Sequence, residues 1–405
     1  MKQTVAIKLP TMNHEFSLPP MTLYALLHLG CLGVFYTGLS WYAVSIFFFS
    51  FLFRIFAPSL AYHRYFAHRT FKTSRVFQFL LGVYGCTAVQ GGPLWWAQTH
   101  REHHRNADTP DDLHSPYFQG FLYAHSGWFL KKDHRTTDYS KVRDLAKYPE
   151  LVWLDNWYPV FILVYVAAVF LAFGVTGVVW GFFVTTVLIH HMTHWVQSVS
   201  HSIGGYRRYP TLDNSRNHWL FGLVSMGEGF HHNHHYCPSS ARLGFYWWEI
   251  DISYYLLKAL SRVGLIYGLN VPDEAVKAGR HPGCQRHLLN LRTELSRFCD
   301  GVNAILDRQS PAPACGSAAE RSQLKRALDQ RIRAFIDSSR TNLVRGPLVL
   351  GTAFRTLRQE LLNETETFAG EHLREPAAVD LCARIMKEFD SCVAIEKILF
   401  MKREF

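Results

Sequence analysis

Histidine-rich segments are the part of this sequence whose residue types and spacing could do chemistry. The segment His100-Arg-Glu-His-His104 places histidines at positions i, i+3 and i+4, and His231-His-Asn-His-His235 repeats that spacing. Residues three and four apart share one face of a helix, so each segment can direct three imidazole rings toward one point. Because neutral imidazole is a common ligand of transition metals, the two segments predict a metal site built from histidine.

Three more histidines strengthen this prediction. His63 and His68 follow a long apolar run, and His201 follows another. On a regular helix, residues five apart are separated by about 140°, so His63 and His68 share a site only if the helix bends or ends between them. Nitrogen ligands suit zinc, iron or copper, and nine histidines exceed the needs of one tetrahedral ion. Two metal ions with open coordination positions are therefore predicted, and such positions suggest oxygen chemistry. The alternative is a histidine cluster that senses pH or is merely exposed.

The elements that must position these histidines are predicted to lie in a membrane. Residues 21–56 and 157–196 are apolar, and each run is too long for one span of about 20 residues. Thr37-Gly-Leu-Ser40 interrupts the first run and Gly174-Val-Thr-Gly177 the second, so each reads as a helical hairpin. Four transmembrane helices are predicted, at about 21–38, 40–60, 157–173 and 177–196. The mean hydropathy of −0.03 averages these runs with a charged last third.

The distribution of charge predicts which side of the membrane the histidines face. The net charge is +10, and about a dozen Lys and Arg lie between residues 62 and 158, whereas the two hairpin turns carry none. The positive-inside rule places this middle segment, both termini and all the histidine clusters in the cytosol. The glycine-rich apolar run from Phe77 to Trp96 is predicted to lie in the interface rather than to cross. The predicted fold class is an all-α integral membrane protein whose cytosolic helical cap holds a di-metal site.

The chain is predicted to divide into a cytosolic N-terminal segment at 1–20, a membrane domain at 21–272 and a soluble helical extension at 285–405. A Ser/Pro/Ala-rich linker at 309–319 splits the extension, for which the sequence names no chemistry. The eight cysteines form no CxxC pair, which argues against a zinc ribbon or a disulfide framework and favours a reducing compartment. No cleaved signal peptide is expected.

The order of the histidine motifs resembles that of the membrane fatty-acid desaturase family. The resemblance rests on His63-Arg-Tyr-Phe-Ala-His68, on His100 to His104, on His201 and on Gly227-Glu-Gly-Phe-His-His-Asn-His-His235, and it covers roughly residues 20 to 270. It implies an oxidoreductase similar to stearoyl-CoA desaturases. Such an enzyme uses two iron ions and O2 to introduce a cis double bond, here expected to be of the Δ9 type, into an acyl-CoA or acyl-lipid.

The resemblance also implies which residues bind iron. The ligands of the family fall on His63, His68, His100, His103, His104, His201, His231, His234 and His235. The family's asparagine that reaches one metal through water falls on Gln197, whose side chain is one methylene longer. The carboxylates predicted to orient the imidazoles by accepting their distal N–H groups are Glu102, Asp108, Asp111, Asp112 and Glu228, with solvated surface charge as the alternative for Asp111 and Asp112. The histidines left without a ligand role, and predicted either to support the ligands from outside or to be structural, are His114, His125, His190, His191, His194 and His232.

Substrate contacts are predicted from aromatic and basic residues near the histidines. A tunnel that holds the acyl chain in register could be lined by Trp95, Trp96, Tyr123 and Trp128. An anionic head group could be held by Arg101, Arg105, Lys131 and Lys132. The alternatives are membrane-belt anchoring for the aromatic residues and ordinary cytosolic loop charge for the basic ones.

Two other functions remain open at this stage. A fatty acyl hydroxylase or acetylenase would use the same ligands. A non-catalytic metal-binding membrane protein, such as a zinc transporter or sensor, would need ligating residues inside the spans, and the spans offer almost none.

Electrons are expected to come from a separate protein. His281-Pro-Gly-Cys284 is similar to the haem motif of cytochrome b5, but cysteine replaces its glycine and no second histidine follows at the required distance. The expected external donor is of the ferredoxin, rubredoxin or cytochrome b5 type. The expected location is a bacterial inner membrane, with membrane lipid and acyl substrate as partners and no nucleic acid.

Overall fold

A computed structural model gives the fold of residues 18–131, 134–308, 317–373 and 377–392. The chain is mostly helical and forms two compact units. The first unit contains residues 18–206 and 215–273, and the second contains residues 207–214 together with the described residues from 274 onward. The predicted N-terminal segment lies, up to residue 17, outside the described residues, as does Lys132.

Twelve α-helices and one small sheet build the described part of the first unit. The helices are α1 (Leu18–Gly30), α2 (Val34–Thr37), α3 (Trp41–Phe56), α4 (Arg75–Cys86), α5 (Pro93–Asn106), α6 (Pro116–Gln119), α7 (Arg143–Ala146), α8 (Pro149–Thr176), α9 (Thr185–Ser198), α10 (Trp219–Val224), α11 (His231–Tyr236) and α12 (Ile252–Arg262). Segments of π-helix lie at Ala57–Ala67, Tyr123–Gly127 and Gly177–Val184, and 3₁₀ turns at Cys31–Gly33, Trp128–Leu130 and Tyr139–Val142. Strands β1 (Lys72–Thr73) and β2 (Ile266–Tyr267) pair antiparallel.

Three helical stretches among the described residues are long and apolar enough to cross a membrane. They are Pro20–Thr37, Trp41–Ala67 and Pro149–Ser198. The last has 50 residues, and Gly174 interrupts it with φ 63° and ψ −155°, a conformation that glycine adopts without a Cβ penalty. Large apolar side chains on these helices, such as Phe35 and Leu171, are more than 80 % exposed, as expected of a surface that faces lipid. The chain is a membrane protein, and the four-span arrangement stays a prediction.

The apolar run from Phe77 to Trp96 does not form one helix. Helix α4 ends at Cys86, and α5 begins at Pro93 after a turn in which Val89 adopts φ 61°. Proline favours the first position of a helix because its missing N–H would be unpaired there. The turn therefore separates α4 from the helix that carries His100 to His104.

Arg54 is fully buried in α3 and ties this helix to its neighbours. Its guanidinium donates to the carbonyl oxygens of Thr87 and Gly181 and to the hydroxyl of Thr186, at 2.9, 3.3 and 2.6 Å. A charged group inside an apolar span is costly unless such partners replace water. The hydrogen bonds fix α3 against the turn before α5 and against the helix that leads into α9.

The described residues of the second unit form a bundle of four long helices, called here the C-terminal bundle. A short helix, α13 (Glu274–Lys277), precedes its four helices, which are α14 (Pro282–Arg308), α15 (Ala318–Arg345), α16 (Pro347–His372) and α17 (Ala377–Cys392). Buried leucine and phenylalanine side chains from all four helices, among them Leu295, Leu361 and Phe389, make one apolar core. Leu212 of the 207–214 segment belongs to that core.

Candidate metal centre

The nine histidines singled out by the sequence form two neighbouring groups in the first unit. Ring nitrogens of the five-histidine group lie within 4.8 Å of one another, as do those of the four-histidine group. The five-histidine group is His63, His68, His100, His104 and His234. The four-histidine group is His103, His201, His231 and His235. The two groups adjoin, because the ring centroids of His104 and His235 are 4.3 Å apart.

His63 and His68 meet because the helix that carries them is π-helical. The Ala57–Ala67 segment continues α3, and the amide of His68 donates to the carbonyl of His63 at 3.1 Å. Hydrogen bonds between residues five apart place those residues one turn above each other. The two ring centroids lie 5.0 Å apart, so the π-helix resolves the conflict between a five-residue spacing and a shared site.

Each i, i+3, i+4 segment contributes to both groups instead of directing three rings to one point. In α5, His100 and His104 enter the five-histidine group and His103 the other. In α11, His234 enters the five-histidine group, whereas His231 and His235 join His103. Neighbouring residues on a helix are separated by about 100°, so His103 and His104 face different directions. The spacing predicted that each segment brings histidines to a shared cluster, but it did not predict this division between two groups.

The chemistry of the donor atoms fits metal ions. In the five-histidine group, Nε2 of His104 lies 2.8 Å from Nε2 of His234 and 3.0 Å from Nε2 of His100. Burial lowers the pKa of all three rings well below the ordinary histidine value, and neighbouring imidazoles add to the effect. Neutral rings that face one another through Nε2 present lone pairs, which attract a cation placed among them. An all-nitrogen donor set suits zinc, iron or copper.

Three carboxylates orient rings of the two groups from outside. Nδ1 of His103 is 3.0 Å from Asp112, and Nδ1 of His201 is 2.8 Å from Asp108. A carboxylate at Nδ1 holds the proton there and leaves Nε2 free to bind metal. Burial opposes ionisation of Asp112, but His103 and His114 outweigh it and lower the pKa of this carboxyl group. The third carboxylate, Glu228, faces the five-histidine group.

Glu228 connects His63 to a buried network of charges. Its Oε2 lies 2.6 Å from Nδ1 of His63, and its Oε1 accepts hydrogen bonds from Arg64 at 3.0 Å and Ser59 at 2.5 Å. Burial alone would raise the pKa of Glu228, but His63 and Arg64 lower it to about 2. Arg64 is itself fixed by Asp251 at 2.9 Å. The carboxylate therefore stays ionised beside His63.

We expect Glu228→Gln to weaken metal binding at the five-histidine group by about 10–100-fold, the usual cost of losing an outer partner of a metal ligand. Glutamine keeps an oxygen acceptor but loses the charge that faces His63 and Arg64. Titration with a chelator at fixed iron measures the change. Glu102→Gln is the control, because Glu102 contacts Lys141 and Gln98 and, within the described part of the chain, no histidine. An equal loss in both variants would contradict the role of Glu228.

Asp155, which sequence reasoning missed, holds the first turn of α5. Its Oδ1 accepts from the amides of Leu94 and Trp95 at 2.8 and 3.0 Å. A carboxylate from another helix thereby satisfies amides that have no partner within α5. Gly92 allows this approach, since a Cβ there would lie 2.2 Å from Asp155 Oδ1. The sequence signal was a single acidic residue just before an apolar run.

Two cavities meet beside the histidine groups. The larger has a volume of about 650 Å³ and lies between α1, α5, α8, α9 and the segment around Trp128. The smaller has about 50 Å³ and is lined by Ile55, Met192 and Val196 together with His63, His100, His103 and His231. Trp96, Thr193 and Gln197 line both cavities. These three residues form a junction between an open cavity and the candidate metal centre.

The predicted aromatic contacts fall mainly on the larger cavity. Trp95, Trp96 and Trp128 line it, and the rings of Trp95 and Trp128 stack 6.1 Å apart. Trp96 also stacks on His100, with centroids 4.9 Å apart. Tyr123 is buried and is not among the described residues that line either cavity.

The predicted basic contacts lie elsewhere. Arg101 binds Asp144 at 2.7 Å and donates to the carbonyl of Ala67, so it joins α5 to the segment carrying His68. Arg105 and Lys131 do not line the larger cavity in the described part of the chain. Arg135, which sequence reasoning did not single out, does.

Gln197 and the remaining histidines have other partners. Gln197 Oε1 accepts from the indole N–H of Trp128 at 3.0 Å. His232 contacts Ser215 at 3.2 Å and stands outside both histidine groups. His125 and His191 contact each other at 2.9 Å, and His114 lies with His103 and Asp112.

The comparisons with known proteins agree with this arrangement. The model of the fatty acid desaturase family matches residues 39–265. An acyl-CoA C20 Δ5-desaturase of Anemone leveillei is 35 % identical over 226 residues, covering 55 % of this chain and 72 % of the relative. An icosanoyl-CoA 5-desaturase of Limnanthes douglasii is 34 % identical, covering 64 % and 73 %. An sn-2 palmitoyl-lipid 9-desaturase of Nostoc sp. (strain 36) is 34 % identical, covering 56 % and 81 %.

The fold and the site define a helical membrane protein with a candidate metal centre of mostly buried histidines beside a cavity. The chain belongs to the fatty acid desaturase family and is an oxidoreductase.

Proposed function

We propose that the chain is an O2-dependent fatty acyl desaturase whose two histidine groups each hold one iron ion. The observation that carries the proposal is the junction at Trp96, Thr193 and Gln197. There the larger cavity adjoins the smaller one, which is lined by members of both histidine groups, in a member of this family. The proposed ligands are the nine histidines of the two groups, with Gln197 as a further ligand through water. When bound, the irons supply the activation of O2 that removal of hydrogen from an unactivated methylene requires.

The overall reaction removes two hydrogens from adjacent methylenes and needs O2, two electrons and two protons. The products are a cis alkene and two water molecules. The chain's own part is to hold one pair of methylenes in register, because identical methylenes differ only in their distance from the head group. The indole of Trp96 lies against both His100 and the cavity, so it is placed to position the acyl chain at the junction.

The acyl carrier is proposed from the relatives and from the cavity. The relatives are named for acyl-CoA and for acyl-lipid substrates, and their names give Δ5, Δ7 and Δ9 positions. We expect an acyl-CoA or acyl-lipid and the Δ9 position. Arg135, Thr137 and Tyr139 are polar residues that line the larger cavity, and Arg135 is the candidate contact for the head group. Trp95, Tyr123, Trp128, Arg101, Arg105, Lys131 and Lys132 remain the candidates predicted from sequence.

The cellular setting is proposed as a multi-pass protein of a bacterial inner membrane. The three apolar helical stretches and the basic middle segment support histidine groups on the cytosolic side. Electrons would come from a separate ferredoxin-, rubredoxin- or cytochrome b5-type protein.

Lipid profiling of cells that express the full chain tests the proposal. Mass spectrometry is expected to show acyl chains that have gained one double bond, and derivatisation of the alkene locates it. Metal analysis of anaerobically purified protein is expected to give two irons per chain. An added oxygen atom would indicate a hydroxylase instead. Zinc alone, with no O2 consumption on adding reductant and acyl substrate, would indicate a non-catalytic metal-binding protein.

A further inference from the structure

Exposed apolar side chains form a patch on the first unit, in segments that follow the last apolar helical stretch. This patch is called here the α10 surface, and its residues are Trp219, Leu220, Val224, Trp247, Trp248 and Ile250. Trp247 is 80 % exposed and Leu220 is 67 % exposed. Large apolar side chains gain free energy when they leave water, so a group of them marks a surface that something else covers.

Two segments make the α10 surface, and they are bonded to each other. The indole N–H of Trp219 in α10 donates to the carbonyl of Trp248 at 2.9 Å. The ring of Trp247 lies edge-on to that of Trp248, with centroids 5.7 Å apart. Glu249 is buried beneath this turn and accepts from the amide of Phe245 at 2.8 Å. The fold therefore holds the exposed rings in place.

The α10 surface continues the lipid-facing surface of α9. Trp195 lies near the end of the 50-residue apolar stretch and is 45 % exposed. Its ring packs against Phe221 of α10, with centroids 6.0 Å apart. Exposed apolar side chains thus run from the end of α9 onto α10. Tryptophan is enriched where a membrane meets water, because its ring is apolar and its N–H is polar.

The exposed charges of the same part of the chain have one sign. Residues 215–271 are all described, and their three acidic side chains are buried or mostly buried: Glu228, Glu249 and Asp251. The residues of this stretch that are both charged and exposed are Lys258 and Arg262. An apolar aromatic surface in a stretch that exposes only basic charge matches the anionic cytosolic face of a membrane.

We infer that the α10 surface is an additional membrane contact of this chain, seated in the interfacial layer of the leaflet at which α9 ends. It lies in the interface and does not cross, because α10 has six residues and a span needs about 20. Helix α10 packs directly on the segment before α11, where a Cβ on Gly229 would lie 2.3 Å from the amide nitrogen of Gly222. Anchoring of α10 therefore sets how far the histidines of α11 stand from the bilayer.

Photo-crosslinking from single positions of the full chain tests this inference. The variants Trp247→p-benzoylphenylalanine and Leu220→p-benzoylphenylalanine are reconstituted in bilayer nanodiscs of phosphatidylcholine and phosphatidylglycerol. Both side chains are exposed, so the exchange leaves the core intact. The same exchange at Phe35, which is 86 % exposed on an apolar helix, is the lipid-facing reference. Arg143 is the water-facing control, because it is exposed in a segment with charges of both signs.

Mass spectrometry after irradiation is expected to show lipid adducts at Trp247 and Leu220, as at Phe35, and their loss at Arg143. Lipid adducts no more frequent at Trp247 and Leu220 than at Arg143 would overturn the inference. The variants are also irradiated in intact cells, where protein adducts in place of lipid would assign the α10 surface to a protein partner or a second copy and overturn it as well. Because the readout is the identity of the adduct, failure to form an alkene would overturn the proposed function alone.

Discussion

Replacing His104 by alanine is expected to reduce the unsaturated product below detection. His104 is 3 % exposed, and its Nε2 lies within 3.0 Å of two other ring nitrogens of the five-histidine group. Its Nδ1 has no hydrogen-bond partner among the described residues, so the ring is held mainly by packing and by what Nε2 binds. Removing an outer partner of a metal ligand lowers metal affinity about 10–100-fold. The loss in this variant should be larger, because a ligand itself is removed. Lipid profiling and metal analysis of the same preparation measure both effects.

His232→Asn is the matched control for this variant. His232 is equally buried and lies in α11 beside the proposed ligands, but it contacts Ser215 and stands outside both histidine groups. We expect this variant to retain iron and product. If His104→Ala retained the wild-type product, the assignment of the five-histidine group to a metal would be wrong. A loss of product in both variants would point to general destabilisation of the site.

The histidine spacing predicted that these residues come together, because the faces of a helix depend on local geometry. Residues three and four apart share a helix face whatever the tertiary fold, and α5 and α11 are the helices that this rule requires. The division of each helix between two groups was not predictable from spacing. The division depends on where the tertiary fold places the rings of His63, His68 and His201, which lie on other segments of the chain. The meeting of His63 and His68 needed a π-helix, which no periodic pattern in the sequence indicates.

Residues that support the site escaped prediction for a related reason. Asp155 lies far from α5 in sequence and becomes its capping group only when α8 packs beside it. Arg54 is the single charged residue of the apolar run at 21–56, and this signal was visible in the sequence. Charged residues inside a membrane span usually have a structural or functional role. The 207–214 loop gave no signal, because Arg207, Tyr209 and Leu212, which join it to the C-terminal bundle, follow no periodic pattern in the sequence. Packing between distant segments decided each case.

Replacing Thr193 by tryptophan is expected to abolish the product while leaving the metal content unchanged. Thr193 lines both cavities and its hydroxyl accepts from Gln90 at 3.0 Å, so a bulky ring there would close the junction. It is not a member of either histidine group. The acyl chain could then enter the larger cavity without its methylenes reaching the centre, and positioning, not metal binding, would be lost. Lipid profiling and iron analysis of one preparation separate the two effects.

Thr193→Val is the control, because valine has nearly the shape of threonine and lacks only the hydroxyl. It should retain product if the junction acts by its width, whereas the tryptophan variant should not. Normal product from Thr193→Trp would show that the acyl chain reaches the histidine groups by another route. Loss of product in both variants would assign the effect to the hydrogen bond between Gln90 and Thr193 instead. The position of the acyl chain would then depend on this polar contact in the cavity wall and not on the width of the junction. The pair of variants therefore distinguishes the shape of the junction from its hydrogen bonding, independently of the metal ligands.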